Sequence, residues 1–126
     1  MAAKLTDETP ETADVLLPKF GADGFITGVV QDARTLEVLM VAFLDAEALA
    51  ATQDTGFAHF YPRSRGKLWK KVETSGNVLK VTDLRIDCDQ DALVILAEPA
   101  GPACHTGARS CFYRYVNGTS LAPVRT

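Results

Sequence analysis

Val78-Leu-Lys-Val-Thr-Asp-Leu-Arg-Ile86, Asp87-Cys-Asp-Gln-Asp91 and Ala92-Leu-Val-Ile-Leu-Ala97 form one continuous stretch, and its reading decides the fold. Two runs of β-prone residues flank five polar ones, so it reads as two strands divided by an acidic cluster. Upstream, Phe57 to Tyr61 and Lys67 to Val72 read as further strands, punctuated by Pro62, Gly66 and Ser75-Gly76-Asn77. Earlier still, Phe25 to Val30 and Leu36 to Phe43 are β-rich runs whose five-residue connection suits a hairpin. Asp45 is placed to cap a helix over Ala46 to Gln53, and Gly56 to end it. Downstream, Glu98-Pro-Ala-Gly-Pro102 is expected to be a loop, because two prolines and a glycine suit neither a helix nor an interior strand. Cys111 to Val116 is expected to be a last strand before a frayed tail. The class is a small, mainly β (α+β) fold with one or two helices.

The 126 residues predict one domain at 15–116, preceded by a polar, loose arm at 1–14 and followed by a tail at 117–126. A domain of this size has little interior to spare for a deep private cleft, which favours a site shared between two subunits. The opening segment has no apolar core of a secretory signal, and no stretch reaches the roughly 18 apolar residues of a membrane span. No membrane partner is expected, and the chain is expected in the cytoplasm.

The net charge of −3 argues against a nucleic-acid binder. Its distribution is more informative. From His59 to Lys80 six basic residues face the single acid Glu73, making this segment +5 and the rest −8. Such separation fits a small anionic ligand, a phosphorylated one included, whereas a long polyanion would be repelled elsewhere; the alternative is a solvated basic hairpin.

Cys88, Cys104 and Cys111 are spaced C-x15-C-x6-C, and His105 follows the second. The paired C-x2-4-C knuckles of small structural zinc modules are absent, whereas three ligands with a fourth position left to water is the arrangement of a catalytic zinc. Three thiolates cancel much of the metal's charge, so a nearby base would help. His105 is either that base or a fourth ligand that closes the site. The competing reading is three buried, inert thiols.

In an extended strand Asp87, Asp89 and Asp91 would share one face and Cys88 the other. Three carboxylates on one face repel, and are tolerable if solvated or neutralised by a hard cation such as Mg²⁺ or Ca²⁺. An EF-hand is excluded, because its glycine position holds Ala92 and a buried strand follows. The alternation also means that Cys88 and the aspartates cannot all face one mononuclear site unless the backbone bulges; two metals, or a cysteine contributed across a subunit interface, would resolve that geometry.

Arg63-Ser-Arg-Gly-Lys-Leu-Trp-Lys-Lys-Val-Glu-Thr-Ser-Gly-Asn77, Asp87-Cys-Asp-Gln-Asp91 and Ala103-Cys-His-Thr-Gly-Ala-Arg-Ser-Cys-Phe112 together resemble the phosphoribosyl-AMP cyclohydrolase family of histidine biosynthesis. The resemblance runs from about Val15 to Phe112. It implies a mixed-sheet pseudobarrel in an obligate homodimer that hydrolyses the purine N1–C6 bond of N1-(5-phosphoribosyl)-AMP, giving the formimino-aminoimidazole carboxamide ribotide. It also implies zinc held by Cys88 of one subunit and Cys104 with Cys111 of the other, and magnesium held by Asp87, Asp89 and Asp91. The chain departs from the family at Val72, where glycine is usual, and at Pro62, where a small polar residue is common.

On that reading the substrate's two phosphates would meet Arg63, Arg65 and Lys71, with backbone amides around Ser75 and Asn77 forming an anion-binding turn. Trp69 either stacks on the purine or belongs to the core. Glu73 either fixes a ribose hydroxyl or pairs with a lysine. His59, between aromatic residues, reads first as a satisfied, partly buried histidine. A nucleobase deaminase is the nearest mechanistic rival, but its H-x-E and P-C-x-x-C signatures are absent. A rival of another class is a non-enzymatic, zinc-stabilised nucleotide-binding module.

Overall fold

The computed structural model describes residues 9–61, 69–70, 78–104 and 106–123, at 69–70 the backbone alone. Strands β1 (Ile26–Asp32) and β2 (Val38–Leu44) precede helix α1 (Ala46–Thr55). Short strands β3 (His59–Phe60) and β4 (Trp69–Lys70) follow, then β5 (Leu79–Ile86), β6 (Ala92–Pro99), β7 (Arg114–Asn117) and β8 (Ser120–Pro123). Four strands form a mixed sheet in the order β2-β1-β6-β5. The hairpins β1–β2 and β5–β6 are antiparallel, and they are joined by parallel pairing of β1 with β6, Thr27 opposite Ala92 and Asp32 opposite Ala97.

Both outer edges of this sheet are engaged by one segment. On β5, the N–H of Ala58 donates to Leu79 O and that of Val81 to Gly56 O; on β2, Tyr61 donates to Phe43 O. Residues 56–61 therefore close the sheet on itself, satisfying edge groups that would otherwise template pairing with other chains. The result is the expected mainly β, mixed-sheet fold, with a single helix among the described residues.

Alternation drives the packing. Along β1 the residues Ile26, Gly28, Val30 and Asp32 are buried and those between them are half-buried. Ile26, Val30, Leu39, Leu44, Phe60, Leu79 and Ile95 fill the interior, each almost wholly buried. Gly28 belongs to this face because a Cβ there would lie 2.7 Å from Leu44 Cδ1 and 3.2 Å from Ile95 Cδ1. The helix presents Ala48, Leu49 and Thr52 to the core. As expected, Asp45 caps it, its carboxylate accepting from Ala48 N at 2.8 Å, and Gly56 ends it in the left-handed region at φ 78°.

Four details differ from the sequence reading. Residues 87–91 divide the two strands as expected, but as a turn rather than the extended run in which the aspartates would share one face, because the Asp87 side chain accepts from the N–H groups of Asp91 and Ala92 and so folds the chain over itself. β6 runs through Glu98 and Pro99. Proline is tolerated there because Ala100 donates toward β5, to Val78 O. The nitrogen of Pro99 therefore faces the other side, where β1 has already ended opposite Ala97. The strand expected from Cys111 starts at Arg114, since Cys111 N donates to Leu39 O and Ser110 Oγ ties Val38 O to Phe112 N. The tail expected to fray contains β8, which pairs with β7 across Gly118-Thr119; Gly118 has φ 63°, as a II′ hairpin turn requires.

Replacing Asp45 by Ala leaves the Ala48 N–H without its acceptor, so urea unfolding should show a loss of about 1 kcal/mol with an unchanged slope. An unchanged midpoint would show that the cap contributes nothing.

Candidate functional site

Two loops carry the candidate metal ligands, and the closed sheet sets their positions. The first is the turn between β5 and β6. Gln90 N donates to Asp87 O at 3.0 Å, and Gln90 adopts a left-handed backbone, φ 61°. The Asp87 carboxylate turns inward over the loop, accepting from Asp91 N at 2.8 Å and Ala92 N at 3.1 Å. One oxygen from each of Asp87, Asp89 and Asp91 then lies within 4.8 Å of the others, and Asp87 and Asp91 are exposed. The turn brings together the carboxylates that an extended strand would have spaced along one face.

Crowding separates their acidities. Partial desolvation works to raise the Asp87 pKa. Hydrogen bonds from the Asp91 side chain, from the Asp91 and Ala92 amides and from the Asp89 side chain outweigh it and hold the group below the usual carboxylate value. Asp91 is pushed up to about 6 by hydrogen bonding to Asp87 and Asp89, by desolvation and by repulsion from both charges. One proton is thus retained in the trio into the weakly acidic range, and three oxygen donors of this kind suit a hard divalent cation that replaces it.

The second loop spans residues 103–111. It folds back on itself, Ala103 N donating to Arg109 O and Cys104 N to Ala108 O, with a tight turn closed by Gly107 N on Cys104 O. Gly107 has φ 93°, a conformation that side chains disfavour. The loop docks on the outer edge of β2. Cys111 N donates to Leu39 O at 2.7 Å, buried Ser110 donates to Val38 O at 2.6 Å, and Arg109 pairs with Glu37 at 2.8 Å. All three cysteines are thiols, Cys104 buried and Cys88 and Cys111 exposed. The Thr106 hydroxyl donates to Cys104 Sγ at 3.0 Å.

The register keeps these loops apart within one chain. The acidic turn leaves β6 at Ala92, whereas the Cys111 attachment at Leu39 lies beside Met40, level with Val30 and hence with Ile95. Three residues of strand make that roughly 10 Å along the strand direction. In agreement, among the described residues the aspartate trio is the one cluster of three metal-ligating groups, and the cysteines form none.

His105 and the residues Arg63, Arg65, Lys71, Glu73, Ser75 and Asn77 lie outside the described residues, as do Pro62 and Val72. Trp69 is placed by its backbone opposite Phe60. His59 is buried, and its Nδ1 donates to Phe57 O at 2.8 Å, a satisfied histidine as the simpler reading had it. Sequence reasoning missed Ser110 and Gln90, the two buried polar side chains that anchor the loops. Their polarity gave no hint of burial, though a non-glycine in the left-handed region marks Gln90 once the backbone is known.

A family model described as phosphoribosyl-AMP cyclohydrolase matches residues 40–113. A protein of that name from Erythrobacter litoralis (strain HTCC2594) is 56% identical over 124 residues, spanning 98% of this chain and 99% of the relative. One from Rhizorhabdus wittichii is 56% identical over 120 residues, 95% and 97% of the two chains. One from Sphingopyxis alaskensis is 57% identical over 110 residues, 87% of each.

Because the folded-state pKa of Asp91 is raised, its stabilising effect is complete below about pH 4 and is lost as pH rises through about 6. In chelator-treated protein Asp91→Asn should therefore raise Tm at pH 7.5, and the gain should shrink at pH 5. A gain of equal size at both pH values would mean that ionisation of Asp91 is not the cause.

Proposed function

Because the chain belongs to the phosphoribosyl-AMP cyclohydrolase family, we propose that it hydrolyses the N1–C6 bond of N1-(5-phosphoribosyl)-AMP, a step of histidine biosynthesis, in a zinc site shared by two subunits. The observation that carries the activity is identity of 56% across essentially the full length of both chains. The shared site is supported by the roughly 10 Å that the β1–β6 register sets between the acidic turn and the cysteine loop. Exposed apolar side chains beside that loop, Val38, Val41, Phe112 and Tyr113, offer surface for a second copy.

Three thiolates are soft donors that suit zinc, and the carboxylate trio suits magnesium. Cys88 of one subunit and Cys104 with Cys111 of the other would hold the first, and Asp87, Asp89 and Asp91 the second. When bound, zinc supplies Lewis acidity toward water. The remaining chemistry belongs to the chain. An N1-substituted adenine carries ring charge that makes C6 electrophilic. Water adds at C6 as its proton passes to His105, and the N1–C6 bond breaks with that proton delivered to the departing nitrogen. The water oxygen becomes the carboxamide oxygen. Arg63, Arg65 and Lys71 grip the two phosphates, with the amides around Ser75 and Asn77 completing that grip. Trp69 stacks on the base and Glu73 orients the ribose.

Among the described residues no helix is long and apolar enough to cross a membrane, and the proposed place of action is the cytoplasm.

Metal analysis combined with an ultraviolet assay on phosphoribosyl-AMP tests this reading. Purified protein should contain zinc and turn the substrate over, lose both on chelation, and regain turnover when zinc is restored. No turnover by zinc-replete protein, or full turnover after zinc removal, would contradict it.

A further inference from the structure

Gln90 sits between two aspartates of the acidic turn, yet its side chain is 4% exposed. It points away from them, into the N-terminal segment. Its Oε1 accepts from Leu17 N at 2.6 Å, and its Nε2 donates to Pro10 O at 2.8 Å and toward Val15 O at 3.4 Å. Its backbone carbonyl accepts from Lys19 N at 2.7 Å and its N–H donates to Asp87 O at 3.0 Å. Every polar group of the residue is thus engaged, and the amide has one consistent orientation, since a flip would set the oxygen against two carbonyls. Thr12 N and Ala13 N both donate to Thr9 O, forming a turn around Pro10. Residues 9–14, expected to be loose, are therefore fastened at this point.

Two features make the fastening consequential. Gln90 adopts φ 61°, a conformation unfavourable for a residue with a side chain, which persists only where the surroundings hold it. The same residue links Asp89 to Asp91, so any relaxation of its backbone moves two of the three oxygens that meet within 4.8 Å.

We propose that Gln90 is a positioning residue: by tying residues 10–19 to the acidic turn it holds Asp87, Asp89 and Asp91 at the geometry a divalent cation needs. This role rests on the cation reading of the trio proposed above. The segment 10–19 acts as a strap over the turn, and strap closure and cation binding are linked. If release of the strap weakens cation binding by some factor, the cation must suppress release by the same factor.

The probe is Mn²⁺ alone, its binding read by electron paramagnetic resonance of the free ion and independently of turnover. Gln90→Gly keeps access to the left-handed backbone but removes the anchor; Gln90→Met fills the buried volume without the hydrogen bonds. Both should weaken Mn²⁺ binding by about tenfold or more, the usual effect of losing a supporting partner, with turnover recovering at high cation concentration. In the wild-type chain, saturating Mn²⁺ should slow hydrogen exchange at the Leu17 and Lys19 amides by a similar factor, a measurement that needs no variant to fold. Equal Mn²⁺ affinity in either folded variant, or unchanged exchange at Leu17 and Lys19, overturns the positioning role and leaves the cation reading standing. A wild-type chain that binds no Mn²⁺ overturns both.

Discussion

The parallel pairing of β1 with β6 is the constraint on which the site depends. Six consecutive residue pairs, Thr27 with Ala92 through Asp32 with Ala97, join two hairpins that would otherwise be independent. A lone hairpin is marginal in water, whereas four strands closed by residues 56–61 bury one continuous interior of Ile26, Val30, Leu44, Phe60, Leu79 and Ile95. One hairpin presents the acidic turn at the start of β6. The other offers the outer edge of β2, to which the cysteine loop is hydrogen-bonded. Their registers are pinned because a slip of one residue would turn every buried side chain of β1 outward.

Local devices then shape each loop. At the acidic turn, Asp87 spends its carboxylate on two backbone amides, and so gathers the carboxylates that repulsion would drive apart. At the cysteine loop, Ser110 and the Leu39 carbonyl fix one limb while the turn at Gly107 returns the other. No buried side-chain polar atom among the described residues lacks a partner. Among the described residues Cys88, Cys104 and Cys111 form no cluster of metal-ligating groups inside one chain, which is the ground for proposing a site completed by a second copy.

Much of this was legible in the sequence. The strands on either side of Asp87–Asp91 follow from β-branched and aliphatic runs, and α1 from Asp45 and Gly56. The candidate metal ligands stand out in the sequence as three cysteines and as aspartates at every second position. Less legible were features decided by long-range hydrogen bonds. Alternation set Asp87, Asp89 and Asp91 on one face, but the Asp87 side chain competes with the ladder for backbone amides and makes a turn. The β7–β8 hairpin was announced only by Asn117-Gly118, a turn signal in a short polar tail. Gln90 gave no signal at all, since its partners are backbone groups 71 to 80 residues earlier in the chain.

Mixing of subunits decides whether, as proposed, the sulfurs of one zinc come from two chains. In a dimer of one Cys88→Ala and one Cys111→Ala subunit, one of the two shared sites combines the three intact cysteines and the other carries both substitutions. Random exchange of two inactive variants should therefore restore about a quarter of wild-type turnover. No restoration, with exchange of subunits demonstrated, would place the site within a single chain and rule out a zinc shared between two.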